Sequence, residues 1–66
     1  MITPDEARER LADIRRVAGN FEDAHIEEDR LRGDVLEAIA RGSYHPRELA
    51  EIALETDAIE FSRWYA

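Results

Sequence analysis

Sixty-six residues are enough for one hydrophobic core and too few for two. Sixteen Asp and Glu face nine Arg and no Lys, a formal charge of -7 and a pI near 4.7, so direct contact with nucleic acid or an anionic membrane is excluded for want of a basic stripe. Cysteine is absent, which removes disulfide staples, thiolate zinc sites and cysteine nucleophiles.

Thr3-Pro4-Asp5-Glu6 reads as a helix start. Thr3 can cap, Pro4 suits the first helical position, Glu6 is placed to return a capping-box bond, and acids in the first turn suit the helix dipole. Ala7, Leu11, Ile14 and Ala18 then recur at helical spacing, with Val17 at the edge of the stripe. Gly19-Asn20 offers a C-cap and a turn, so the first helix is predicted over about 3–18. A second helix is predicted over 21–41, ended by Gly42-Ser43. Its apolar face holds Phe21, Ala24, Leu31, Val35, Ala38 and Ile39, with Leu36 at the margin, and its interior Gly33 costs about 1 kcal/mol relative to Ala. Two amphipathic helices joined by a short turn fold back as a hairpin; a continuous helix through Gly19-Asn20 would instead offer both stripes to another subunit.

His45-Pro46 disfavours helix at His45 and permits one from Pro46, so a short third helix is predicted over about 46–55, with Leu49, Ile52 and Ala53 on its apolar side. Thr56-Asp57 reads as a turn or as the cap of a last helical segment. The tail from Ile59 carries Phe61, Trp64 and Tyr65, whose exposure would forgo about 1.5–3 kcal/mol for each Phe-sized side chain, so it is predicted to dock on the hairpin. The fold class is therefore all-α, in a single domain over 1–66.

Glu28 falls near the centre of the apolar arc of the second helix, between Ala24 and Leu31, with His25 and Arg32 beside it. A carboxylate there must be paired, hydrated or at a subunit boundary, since unpaired burial costs several kcal/mol. The economical reading is a network of His25, Glu28, Arg32 and an arginine of the first helix, Arg8 or Arg15, that fixes register. The rival reading is a metal site: His25, Glu28 and Asp29, at i, i+3 and i+4, can converge on a cation, with further ligands from a symmetric partner. His45 reads as a cap for the third helix, with a ring nitrogen accepting from a backbone N–H. No glycine-rich phosphate loop and no Ser set up with a base is present, so no catalytic residue is assigned. Phe61, Arg63, Trp64 and Tyr65 have the chemistry of interface anchors and equally of core closure.

The order Ala24-His25-x-x-Glu28-Asp29-x-Leu31, then Asp34-Val35-Leu36-x-Ala38-Ile39-Ala40, then Ala53-Leu54-x-Thr56-x-x-Ile59-x-Phe61-x-Arg63-Trp64-Tyr65-Ala66, resembles a group of short uncharacterised proteins encoded by actinobacterial phages and their hosts. Thr3-Pro4-Asp5-Glu6-Ala7-Arg8 is similar too, and the resemblance covers most of the chain. Ile26, where that group has Ser, and the helical Gly33 depart from the pattern, which tells against a role needing a hydroxyl beside His25. The resemblance implies a phage or prophage origin and a host cytoplasm, in keeping with a basic set made only of Arg, and it brings no activity.

A chain of this size buries only ~60% of its unfolded surface, so self-association is the leading support, with a dimer favoured. No signal segment and no ~20-residue apolar run is present, so a cytoplasmic location is expected. The expected function is non-enzymatic protein binding, by a phage factor that engages a host or phage protein through an acidic helical surface, with no cofactor. Two alternatives belong to other classes. One is an acidic DNA mimic using Glu22, Asp23, Glu27 and Asp34 against a nucleic-acid-binding protein; the other is a small metal-dependent hydrolase built on His25, Glu28 and Asp29.

Overall fold

The computed structural model describes residues 1–61, and among these it contains three α-helices, a short 3-10 turn and no strand. The helices are α1, Pro4–Arg16; α2, Phe21–Ala40; and α3, Pro46–Leu54, followed by the 3-10 turn Glu55–Ala58. Helices α1 and α2 form the predicted hairpin: Arg10 meets Asp34 while Asp13 and Arg16 share a cleft with Asp23 and Glu27, so low numbers on α1 face high numbers on α2. Helix α3 packs on both, and the 3-10 turn contacts α3 and α1. No helix among the described residues is long and apolar enough to cross a membrane.

Local chemistry accounts for the boundaries. The Thr3 hydroxyl oxygen accepts from the Glu6 N–H (3.2 Å), and the hydroxyl donates to the Glu6 carboxylate (3.2 Å), which replaces the backbone half of the capping box foreseen for this pair. Pro4 occupies the first turn, Asp5 and Glu6 face the positive end of the dipole, and Arg15 and Arg16 face the negative end. α1 stops earlier than predicted. Val17 is its C-cap, with its N–H directed at the Asp13 and Ile14 carbonyls (3.1 and 3.2 Å), and the Asn20 N–H closes the next turn onto the Val17 carbonyl (2.9 Å). Gly19-Asn20 is therefore not the C-cap of α1. Asn20 instead starts α2, its side-chain oxygen accepting from the Asp23 N–H (3.3 Å).

α2 ends where Gly42-Ser43 requires. Gly42 is left-handed at φ 87°, its N–H bonds the Ile39 carbonyl (3.1 Å), and the Ser43 N–H reaches back to Ala38 (3.0 Å), the paired bonds of a Schellman stop. α3 starts at Pro46 as predicted, but the His45 side chain makes no cap bond; its backbone N–H donates to the Ser43 hydroxyl (3.1 Å), and its Nδ1 lies 4.0 Å from Glu48. The ring lies toward Glu48, in the first turn of α3, and not over the N–H groups from which it was expected to accept.

The core is built from Ala7, Leu11 and Ile14 of α1, Ala24, Leu31, Val35 and Ala38 of α2, Leu49, Ile52 and Ala53 of α3, and Ile59. Small residues recur along it, which lets the helices approach closely, while the full burial of Ile14, Leu31 and Leu49 contributes roughly 1.5–3 kcal/mol each. Ile59 is buried and Phe61 packs half-buried against this core, so the tail docks as far as it is described; Arg63, Trp64 and Tyr65 lie outside the described residues.

Candidate functional site

The polar cluster foreseen on α2 exists, with different partners. Glu28 is only 3% exposed, inside the apolar seam of α2. Arg32, one turn on, brings Nη2 to 3.9 Å from Oε2 of Glu28, but its shorter bonds go elsewhere: Nη2 to Thr56 (2.7 Å) and Asp57 (2.5 Å), and Nε to Thr56 (3.1 Å). Thr56 is fully buried, and its hydroxyl donates to the Ala53 carbonyl (2.9 Å). Arg32 thus fastens the 3-10 turn to α2 while its charge faces the buried acid.

The arginines of α1 do not reach Glu28, contrary to expectation. Arg8 bonds Asp5 (3.3 Å) and Glu48, and Arg15 lies 4.0 Å from Glu55. Arg8 and Arg15 stand two turns apart on the side of α1 that faces α3 and the 3-10 turn, so they meet the acids of those elements and not those of α2. The hydrogen bond to Glu48 holds the Arg8 guanidinium pKa above its ordinary value, and Arg8 stays charged throughout the physiological range.

His25 lies beside this network, with Nε2 3.5 Å from Asp29. One ligand atom from each of His25, Glu28 and Asp29 falls within 4.8 Å of the others, so the sequence triplet does converge. These donors come from little more than one helical turn. A complete coordination sphere would need ligands beyond them.

A second feature went unnoticed in the sequence. Between α2 and α3 runs an apolar groove of about 270 Å³ lined by Arg32, Val35, Leu36, Ile39, Ala50, Ala53 and Leu54. Leu36 and Leu54 form its lips, and they are 66% and 63% exposed. The signal was present as Leu36, placed at the margin of the apolar face of α2, and Leu54, assigned to no face, but only the packing of α3 shows that they face a common space. A larger cleft of about 350 Å³ between α1 and α2 is lined by Asp13, Arg16, Val17, Asp23, Ile26 and Glu27 and is of mixed character.

The acidic surface is less uniform than its charge suggests. Of the carboxylates proposed to mimic DNA, Asp34 is bound by Arg10 (2.6 Å) and Glu27 by Arg30 (3.2 Å), while Glu22 and Asp23 sit at the start of α2. Arginines inserted among the acids interrupt the run of unneutralised negative charge that a phosphate mimic requires. No family model, no curated protein and no solved structure matches the chain.

Proposed function

We propose that this protein is a non-enzymatic binding module, a phage-derived factor that engages a protein of the host or phage. The observation that supports this reading is the open apolar groove between α2 and α3, whose lips, Leu36 and Leu54, are each more than three-fifths exposed. Leaving such residues in water forgoes burial worth roughly 1.5–3 kcal/mol for each leucine, and a partner that fills the groove recovers it. Arg32, the one charged residue that lines the groove, supplies a polar contact to orient an incoming helix or strand. The surrounding acids steer basic partners and repel acidic ones.

A photo-crosslinking amino acid placed at Ala50, compared with one at the exposed Glu9 on α1, tests this in lysate of an actinobacterial host. A defined protein is expected to be captured from position 50 and not from position 9, and Leu54→Asp is expected to abolish capture while the helical circular dichroism stays unchanged. Equal labelling from both positions, or capture indifferent to Leu54→Asp, rules the groove out as a binding surface.

The convergence of His25, Glu28 and Asp29 within 4.8 Å favours a second reading, in which a divalent cation binds there and supports hydrolysis. It has less support, since Glu28 is almost wholly shielded from the water that such chemistry consumes.

A further inference from the structure

Helix α2 carries two heptad seams, and only one of them faces the core. Ala24, Glu28, Leu31, Val35 and Ala38 form the buried seam. On the opposite side of the helix Ile26, Asp29, Gly33, Leu36 and Ala40 repeat the same alternation of three and four, and all five are exposed. Gly33 is the oddity of this face. Its backbone is not left-handed, and a Cβ added there would meet nothing within 4 Å, so nothing inside the chain requires glycine in mid-helix. It leaves a hole beside a knob, Leu36, on the same surface.

We infer that the occupant of this face is a second copy of the chain, packed with the two α2 helices antiparallel about a twofold axis between Gly33 and Leu36. The inference rests on the binding-module reading and names a partner for the outward face of α2, which meets the groove at Leu36. Two properties of the face select a second copy. It is self-complementary in shape: the antiparallel alignment that sets Leu36 on Gly33 of the partner subunit sets the partner's Leu36 on Gly33, as an isologous contact demands. It is also self-complementary in charge. Arg30 and Glu37 flank the seam seven residues apart at equivalent heptad positions, and the same alignment brings Arg30 beside Glu37 of the partner subunit on both halves of the axis. A parallel pairing would instead turn each of these positions toward the other flank of the partner's seam, leaving Arg30 and Glu37 apart. Within one chain these side chains are held only by exposed neighbours, Arg30 by Glu27 at 3.2 Å and Glu37 by Arg41 at 3.8 Å, and such contacts exchange at little cost.

Sedimentation of the intact chain from roughly 1 μM to 1 mM, the range of a weak two-helix contact, tests the assignment. The mass is expected to rise from one chain to two. Glu37→Arg is expected to weaken the dimer at least about tenfold, equivalent to roughly 1.4 kcal/mol, by setting arginine against Arg30, and the double variant Arg30→Glu, Glu37→Arg is expected to restore it. Gly33→Leu, which fills the hole without touching the core, is expected to give a folded monomer. A wild-type chain that stays single at the highest concentration overturns the inference. So does a dimer indifferent to Glu37→Arg and to Gly33→Leu, and a double variant that stays monomeric refutes the antiparallel alignment. Leu54→Asp reports separately on the groove, because it is expected to lose the captured protein and keep the dimer.

Discussion

Replacing Thr56 by Val removes one hydroxyl from a fully buried site while nearly preserving volume. Among the described residues, the Thr56 hydroxyl donates one hydrogen bond to the Ala53 carbonyl and accepts two from Arg32. Arg32 keeps Asp57 at 2.5 Å, and at 38% side-chain exposure it regains water at its open edge. The full worth of hydrogen bonds to a charged group, about 1.5–3 kcal/mol, must be discounted for that access, leaving an expected loss of about 1–2 kcal/mol. Thr56→Ser keeps the hydroxyl and loses a buried methyl, at about 1 kcal/mol. Each kcal/mol lowers the melting temperature of a domain this small by roughly 4–8 °C. Melting followed by far-ultraviolet circular dichroism, with and without Arg32→Met, separates the two causes. In the Met background Thr56→Val should cost about 1 kcal/mol less than in the wild type, whereas the cost of Thr56→Ser should not change. If Thr56→Val costs the same in both backgrounds to within ~0.3 kcal/mol, Arg32 draws no stability from this hydroxyl and the clasp between α2 and the 3-10 turn is wrong.

Other perturbations follow from the same contacts. Gly33→Ala, measured dilute enough to keep single chains, should stabilise by about 1 kcal/mol in urea titration, since its Cβ meets no neighbour; a loss of stability would show a hidden contact at that position. Gly42→Ala should destabilise by about 1 kcal/mol, because its φ of 87° disfavours a Cβ, and an unchanged midpoint would mean that the Schellman stop relaxes freely. Leu54→Asp should leave the melting temperature within the range of a surface change, about 0.5 kcal/mol, whereas a larger loss would show that Leu54 belongs to the core. Calorimetry with manganese, zinc and magnesium decides the second functional reading: saturable heat abolished by Glu28→Gln supports it, and no heat with any of the three removes it.

Much of the fold could be read from spacing, and the site only in part. Of the foreseen stripes, Ala7, Leu11 and Ile14, then Ala24, Leu31, Val35 and Ala38, then Leu49, Ile52 and Ala53 are buried, whereas Ala18, Phe21 and Ile39 are only half-buried. Glu28 was recognisable as an acid in a greasy seam because the period of a helix alone puts it there. Its surroundings were not recognisable. Arg8 and Arg15 lay as close to the predicted seam as any partner could, yet they serve α3 and the 3-10 turn. Thr56, which carries the fastening of Arg32, looked like a turn residue.

Which residues share a helix face, where α2 and α3 begin and where α2 ends were decided by the sequence itself, because periodicity, Asn20, Gly42-Ser43 and Pro46 act within one or two turns of the chain. Which side of each helix meets which neighbour was decided only in three dimensions. The angle at which α3 crosses the hairpin determines whether an arginine finds Glu48, Glu55 or Glu28, and whether Leu36 and Leu54 close on each other or leave a groove between them. That angle comes from the packing of all the side chains together, and no local stretch of the chain encodes it.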